Sequence, residues 1–566
     1  MRGLVFLGNS CGALRDFIVN RINLCCAFLR DSSVFLLSVF VLLLGGQVVQ
    51  AASCTLAEPH AATGAEVALL SEAYGAAEGM YRAELTGKAG DETATAGLVE
   101  ALLGQDKVAE AELAVNEGIA KDAGSAVLLT ARAEVQIREG MLSDAAASVD
   151  AAMKADPCSA RVHTRYAEIY RLNSMYASAK RQIDLAYKLD PWDGEIHRAW
   201  VESLPLDERI AELEKELSGD AGSNVTATAQ TRAYVEELKQ RKAEAGKGCR
   251  LVGNVSTTEL PFAPLMYDAT HIRAYGLEVK LNDQTARLEI DTGASGLLVS
   301  RSVAQRAGLK RMSTDEVTGV GDEGAQKGYE SYAESIKIGE LEFRDCRVEV
   351  LGGKRLEDSD GLIGMDIFSN FLVTLNYPLH KVKLEPLPLR PGEVAAAHNL
   401  GTGGEMEEDS AGPQNRYISP EMKGYVPIFR RGHDLLVPVW LNKSKLKLFI
   451  LDSGAWATTI SLAAGKEVTK IHSEDSLEVK GLGGKVSKVF NADDVTFQFG
   501  DKAQRLVFVP SFDLTGTSRN LGIEVSGFLG ARTLQLMTVH IDYRDGLVGF
   551  DYDSKTAGYL GQRLAR

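Results

Sequence analysis

The sequence predicts a multidomain protein in which an α-helical array is followed by two all-β lobes built on one repeated plan. Three observations carry this reading. Residues 60–247 are rich in Ala, Glu, Leu and Lys, poor in Pro, and carry a 34-residue period. Near residue 250 the chain changes to alternating, β-branched segments with frequent glycine. Further on, Arg287-Leu-Glu-Ile-Asp291-Thr-Gly-Ala-Ser295 and Leu448-Phe-Ile-Leu-Asp452-Ser-Gly-Ala-Trp456 look like copies of each other. At 566 residues the chain is too long for one hydrophobic core, so several domains are expected.

The first element is a targeting segment, residues 1–53. Val34 to Leu44 is apolar apart from Ser38; Arg2, Arg15, Arg21 and Arg30 precede it, and Ala51, Ala52 and Ser53 follow. That length suits a signal-peptide core better than a membrane span, with an uncleaved anchor as the alternative. Cys54 faintly resembles a lipid-attachment cysteine, although the leucine usual three residues earlier is missing. The expected location is exported, periplasmic or otherwise extracytoplasmic, bacterial by preference. Membrane contact is expected only through an uncleaved N-terminal segment or lipid anchor. The net charge of -15 argues against nucleic acid as a partner, since phosphate binding needs clustered Lys and Arg. Cys54, Cys158, Cys249 and Cys346 remain after cleavage near Ala52, with no Cys-x-x-Cys spacing for zinc. Export permits disulfides among them; isolated thiols fit equally well.

In the helical array, windows 92–125, 126–159 and 160–193 align without gaps. Their twentieth residues are Ala111, Ala145 and Ala179; their twenty-fourth are Val115, Val149 and Ile183. Small alanines let helices approach closely, and Pro157 and Pro191 end one unit and start the next. This resembles the tetratricopeptide repeat, two antiparallel helices per unit. A helix at 64–85 is expected as an irregular cap, with 207–217 and 229–245 as closing helices. The resemblance implies a concave groove for a protein partner or substrate, with a spacer or oligomerisation surface as the bland role.

In the β-rich half, Tyr275 to Asn282 alternates, and Ala286 to Ile290 forms the strand that delivers Asp291. Each copy then reads in the same order. Asp291-Thr292-Gly293 precedes Leu297-Leu-Val-Ser300, and Asp452-Ser453-Gly454 precedes Thr458-Thr-Ile-Ser461. Glycine segments follow, Gly319-Val-Gly321-Asp-Glu-Gly324 and Gly481-Leu-Gly483-Gly484. Next come Gly361-Leu-Ile-Gly364 and Gly527-Phe-Leu-Gly530, then Leu375-Asn-Tyr377 and Ile541-Asp-Tyr543. The copies occupy 260–390 and 423–553, joined by a linker at 391–422 with scattered acids, glycines and prolines.

Each copy resembles a retropepsin-like aspartic protease domain, and the two together resemble the two-lobed pepsin-like arrangement in one chain. The resemblance implies an aspartic endopeptidase acting on a peptide or protein substrate, with Asp291 and Asp452 as the catalytic pair. It implies that Thr292 and Ser453 hydrogen-bond across to the opposite loop, with Gly293 and Gly454 allowing tight turns and close packing. The glycine segments at Gly319, Gly321, Gly481 and Gly483 resemble flaps that close over a bound peptide. Neither carries the tyrosine tip of pepsin-type enzymes. The apolar-Gly motifs are expected to run beneath the aspartate loops.

Two carboxylates about 3 Å apart repel by roughly 5 kcal/mol at an effective dielectric near 20, so the pair holds one proton. The ionised partner takes a proton from water, and the protonated one donates to the substrate carbonyl oxygen. No metal or other cofactor is implied. Trp456, where the first copy has Ser295, is expected to fill core, with lining a substrate pocket as the alternative. Asp366 and its counterpart Arg532 are expected to be structural polar residues near the lobe interface. A non-catalytic peptide-binding or scaffold protein that keeps the protease fold is the alternative. His-Glu-x-x-His and phosphate-loop motifs are absent from the sequence.

Overall fold

A computed structural model describes residues 54–218, 225–244, 249–266, 272–312, 315–317, 326–351, 360–393, 414–474 and 478–552. The targeting segment 1–53 lies outside these residues, as does most of the linker expected at 391–422. Among the described residues no helix is long and apolar enough to cross a membrane.

The array consists of helices α1 (Gly64–Leu70), α2 (Tyr74–Gly87), α3 (Glu92–Gly104), α4 (Val108–Ile119), α5 (Ala126–Arg138), α6 (Leu142–Ala155), α7 (Ala160–Leu172), α8 (Tyr176–Leu189), α9 (Gly194–Glu202), α10 (Leu206–Ser218) and α11 (Val225–Glu244). The period shows in the helix ends. Asp91, Ser125, Ser159 and Asp193 each cap the first helix of a unit by accepting from its opening backbone N–H groups. The turns inside the units reverse through Asp106, Gly140 and Ser174, all at positive φ. Ala111, Ala145 and Ala179 are buried where the helices cross. The helix expected at 64–85 is instead two helices. The chain breaks at Ser71–Ala73, where Glu72 takes a φ of 60° and the Ser71 hydroxyl bonds back to Val67 O.

The two β copies form one ten-stranded sheet each, and a six-stranded sheet joins them. In the joining sheet Phe371–Asn376 pairs antiparallel with Met537–Asp542, matching Val373 to Ile541 and Leu375 to Val539. Antiparallel pairing of equivalent strands gives the copies a local two-fold relation. Their inward residues merge into a single core containing Leu288, Ile290, Val373, Phe449, Leu451 and Ile541. A disulfide between Cys249 and Cys346 ties the entry to the first lobe onto strand Leu341–Leu351. Cys54 and Cys158 are disulfide-bonded as well.

The array is packed against the second lobe. Glu524 N donates to Arg138 O at 2.9 Å, and Arg138 Nη1 donates to Ser518 O at 3.2 Å. Arg138 and Arg519 both pair with Asp106. Asn415, at the described end of the linker, exchanges hydrogen bonds with the backbone and side chain of Ser178. The fully buried Arg430 donates to Tyr543 O at 2.7 Å and to Tyr176 Oη of α8 at 3.4 Å. Residues of α5, α6 and α7 share one hydrophobic cluster with Leu436, Leu448, Phe512 and Phe528 of the second lobe.

Candidate active site

Strands Gln284–Asp291 and Lys445–Leu451 deliver the two aspartates to the junction of the lobes. Each is flanked by an apolar-Gly strand. Gly361–Gly364 runs parallel to the first, with Gly364 beside Asp291. Gly527–Leu529 runs parallel to the second, with Leu529 beside Leu451 and its carbonyl accepting from Asp452 N at 3.1 Å.

The loops are cross-bonded with near symmetry. Thr292 N donates to Ser453 Oγ at 3.0 Å, and Ser453 N donates to Thr292 Oγ1 at 2.8 Å. Each hydroxyl then donates to the strand leading into the opposite aspartate: Thr292 Oγ1 to Leu451 O at 2.7 Å and Ser453 Oγ to Ile290 O at 2.9 Å. Thr292 and Ser453 are buried, so the unit excludes water and leaves no polar group unpaired in its ring. Gly293 and Gly454 stand against the opposite carboxyl. A Cβ on Gly293 would lie 2.9 Å from Asp452 Cγ, and one on Gly454 would lie 2.5 Å from Asp291 Cγ.

The carboxyls of Asp291 and Asp452 meet between the paired loops, each against the opposite loop's glycine, and both are held above the usual range for aspartate. For Asp291 burial is the main cause, followed by the charges of Asp452 and Glu289. For Asp452 burial raises it, while N–H groups of Ala455 and Gly454 and the hydrogen bond from Asp291 oppose the rise. Gly293 N donates to Asp291 Oδ1 at 2.9 Å, and Ala455 N donates to Asp452 Oδ1 at 2.8 Å. Burial raises both carboxyls and the charge of Asp452 adds to the rise at Asp291, so the pair favours holding a proton between them.

The sequence reading missed Glu289, a buried acid paired with Arg273 at 3.2 Å and pushed up by burial. Its signal was an acid set between the apolar Leu288 and Ile290, two residues before Asp291. Asp434 was missed too: it is buried and pushed up to about 6, mainly by burial, with the charges of Asp452 and Asp366 adding to the rise. Asp366 is fully buried and accepts from Ser295 Oγ at 2.8 Å and Gly296 N at 2.9 Å. Its counterpart Arg532 is exposed, so the copies differ there. In the second lobe Thr458 Oγ1 accepts from Gly530 N at 3.0 Å and bonds Thr533 Oγ1 at 2.6 Å.

Trp456 does not fill core: it is 47% exposed. Backbone contacts fix its loop instead, with Ala531 N donating to Ala455 O at 2.7 Å and Arg532 N donating to Trp456 O at 3.0 Å. Gly319 and Gly321 lie outside the described residues. Gly481 and Gly483 fall in a short hairpin whose strands are Lys480–Gly481 and Gly484–Lys485.

The helical array holds a separate cavity of about 290 Å³, bordered by Tyr74, Glu134, Arg138, Arg165 and Glu195 and reaching Gly522 of the second lobe. Arg165 binds Glu134 and Glu168 at 2.8 Å each and also Glu195, so these three acids on the cavity wall share one guanidinium.

Compared with known proteins, residues 277–367 match the family model described as aspartyl protease. That match covers the first lobe's aspartate loop and its apolar-Gly strand; the second lobe repeats these elements outside it. Among solved structures, an aspartic proteinase from Irpex lacteus is similar at 13% identity over 53% of this chain and 98% of its own, with a TM-score of 0.33. A thermophilic TPR protein from Thermus thermophilus is similar at 19% identity over 31% of this chain and 95% of its own, with a TM-score of 0.26. No curated protein matches the chain.

Proposed function

We propose that the protein is an aspartic endopeptidase whose catalytic pair, Asp291 and Asp452, comes from one chain. One observation supports this above all: each aspartate loop is locked by the other loop's hydroxyl, with each loop's glycine packed against the opposite carboxyl. The ionised member of the pair takes a proton from the attacking water. The protonated member donates to the carbonyl oxygen of the scissile amide. The gem-diol then collapses: the proton taken from water passes to the leaving nitrogen, the C–N bond breaks, and a hydroxyl proton returns to the pair as the carbonyl re-forms. The cross-bonded Thr292 and Ser453 keep the pair in register without touching substrate.

The helical array docks a protein partner or the substrate itself, and its cavity beside Gly522 makes that surface continuous with the second lobe. The protein works outside the cytoplasm, with a periplasm as the favoured compartment; the Cys249–Cys346 disulfide suits an oxidising environment. The test is incubation of wild type, Asp291→Asn and Asp452→Asn with an unfolded protein across acidic and neutral pH. Peptide products from wild type alone are expected. Equal products from all three would end the proposal and leave a non-catalytic peptide binder.

A further inference from the structure

The hairpin at 478–489 is built to need outside support. Among the described residues its two strands, Lys480–Gly481 and Gly484–Lys485, pair only with each other and join neither lobe's larger sheet. So small a ribbon is marginal in water. Gly481, Gly483 and Gly484 weaken it further through their backbone freedom. One additional backbone bond, Val486 N to Val479 O at 2.9 Å, extends it.

Packing at both ends supplies the support. At the tip, Leu482 lies against the first-lobe cluster of Leu298, Leu351 and Leu362, together with Ala294. Ala294 is three residues beyond Asp291. At the base, Val479, Val486 and Val489 belong to the cluster formed by α5, α6 and α7 and the second-lobe core. Ala455, three residues beyond Asp452, joins that same cluster. The hairpin therefore spans from the Asp452 side of the site to the Asp291 side, gripped at one end by the first lobe and at the other by a mass that includes the helices. Met153 of α6 and Tyr166 of α7 are partly buried members of this base cluster. The array itself cannot swing freely, because Arg138 and Tyr176 bond it to the second lobe and Ser178 bonds it to Asn415 of the linker.

We infer that the helical array is the brace of this hairpin: by packing on its base, the array sets how firmly the hairpin closes across the two aspartates, and so governs substrate entry. The array is then a positioning part of the proteolytic unit in addition to a docking surface. Substrate entry requires Leu482 to lift from Leu298, Leu351 and Leu362, and the base cluster is the hinge about which it lifts. The inference concerns the closing of the site and rests on the proteolytic reading only for its consequence.

The experiment is amide hydrogen exchange on the full chain, read at 479–487, for wild type, Met153→Ala/Tyr166→Ala, Leu482→Ala, and Leu113→Ala as a control at a largely exposed site on α4. Exchange at 479–487 is expected to rise about tenfold in the helix-side double variant and in Leu482→Ala, with strand Lys445–Leu451 unchanged. The control is expected to match wild type, and Met153→Leu is expected to remain protected. Acceleration in Leu482→Ala alone would show that the lobes hold the hairpin without the helices and would overturn the inference. Wild-type protection in both variants would overturn it as well. These readouts need no turnover, so an inactive protein could still pass. With a cleavable peptide, the helix-side variant is expected to raise KM severalfold more than it lowers kcat.

Discussion

Replacing Ser453 with alanine isolates the cross-loop lock from the acids themselves. The Ser453 hydroxyl accepts from Thr292 N and donates to Ile290 O, and both of those groups lie in a buried setting. Ser453→Ala leaves one backbone donor and one acceptor unpaired, at about 1–3 kcal/mol each. Partial relaxation leaves a local cost of about 2–4 kcal/mol. At about 1.4 kcal/mol per tenfold, the Thr292 amide should exchange roughly 30- to 1000-fold faster than in wild type. The opposite bond, Ser453 N to Thr292 Oγ1, survives, so the loops loosen on one side only. Peptide hydrolysis should fall about 100-fold, because small misplacement of paired catalytic groups is costly. Ser453→Thr keeps the hydroxyl and should stay within a few-fold of wild type. Unchanged exchange at Thr292 and full activity in Ser453→Ala would refute the claim that this lock holds the carboxyls in register.

Two further outcomes follow from the same geometry. Gly454→Ala places a methyl 2.5 Å from Asp291 Cγ, so the carboxyls must separate; hydrolysis should drop by about 100-fold or more while far-ultraviolet circular dichroism stays that of wild type. Asp434 is raised from 3.8 to about 6, so the folded state holds its proton where the unfolded chain has lost it, and stability falls as pH rises between those values. The loss is about 3 kcal/mol, complete above about pH 7. Asp434→Asn should therefore match wild type near pH 4 and gain on it as pH rises toward 7, as read by chemical denaturation at each pH.

What the sequence disclosed depended on the range of the signal. The repeat period is local: each unit carries its own cap and its own small crossing residue, so Asp91, Ser125, Ser159 and Asp193 recur in step with Ala111, Ala145 and Ala179. The aspartate loops were legible because duplication wrote the same turn twice, with the apolar-Gly strand behind each. Contacts between unlike surfaces left no such trace. Leu448, Phe512 and Phe528 read as ordinary β-core residues, and their packing against α5 to α7 depends on complementarity between segments hundreds of residues apart. The pairing of Cys249 with Cys346 was hidden for the same reason. Trp456 was read as core because bulk alone suggested it, whereas backbone bonds to Ala531 and Arg532 fix its loop and leave the ring exposed. The break at Glu72 interrupted a stretch whose alanines and leucines favour helix on either side.

The sharing of one proton between Asp291 and Asp452 can be measured directly by following aspartate side-chain carboxyl carbon resonances against pH in wild type and Asp452→Asn, with Asp291→Asn to assign the signal. Asp291 should titrate well above the ordinary aspartate range in wild type and fall toward it, without reaching it, once the charge of Asp452 is removed while burial remains. An Asp291 signal that titrates near the value of a free aspartate, indifferent to residue 452, would contradict the account.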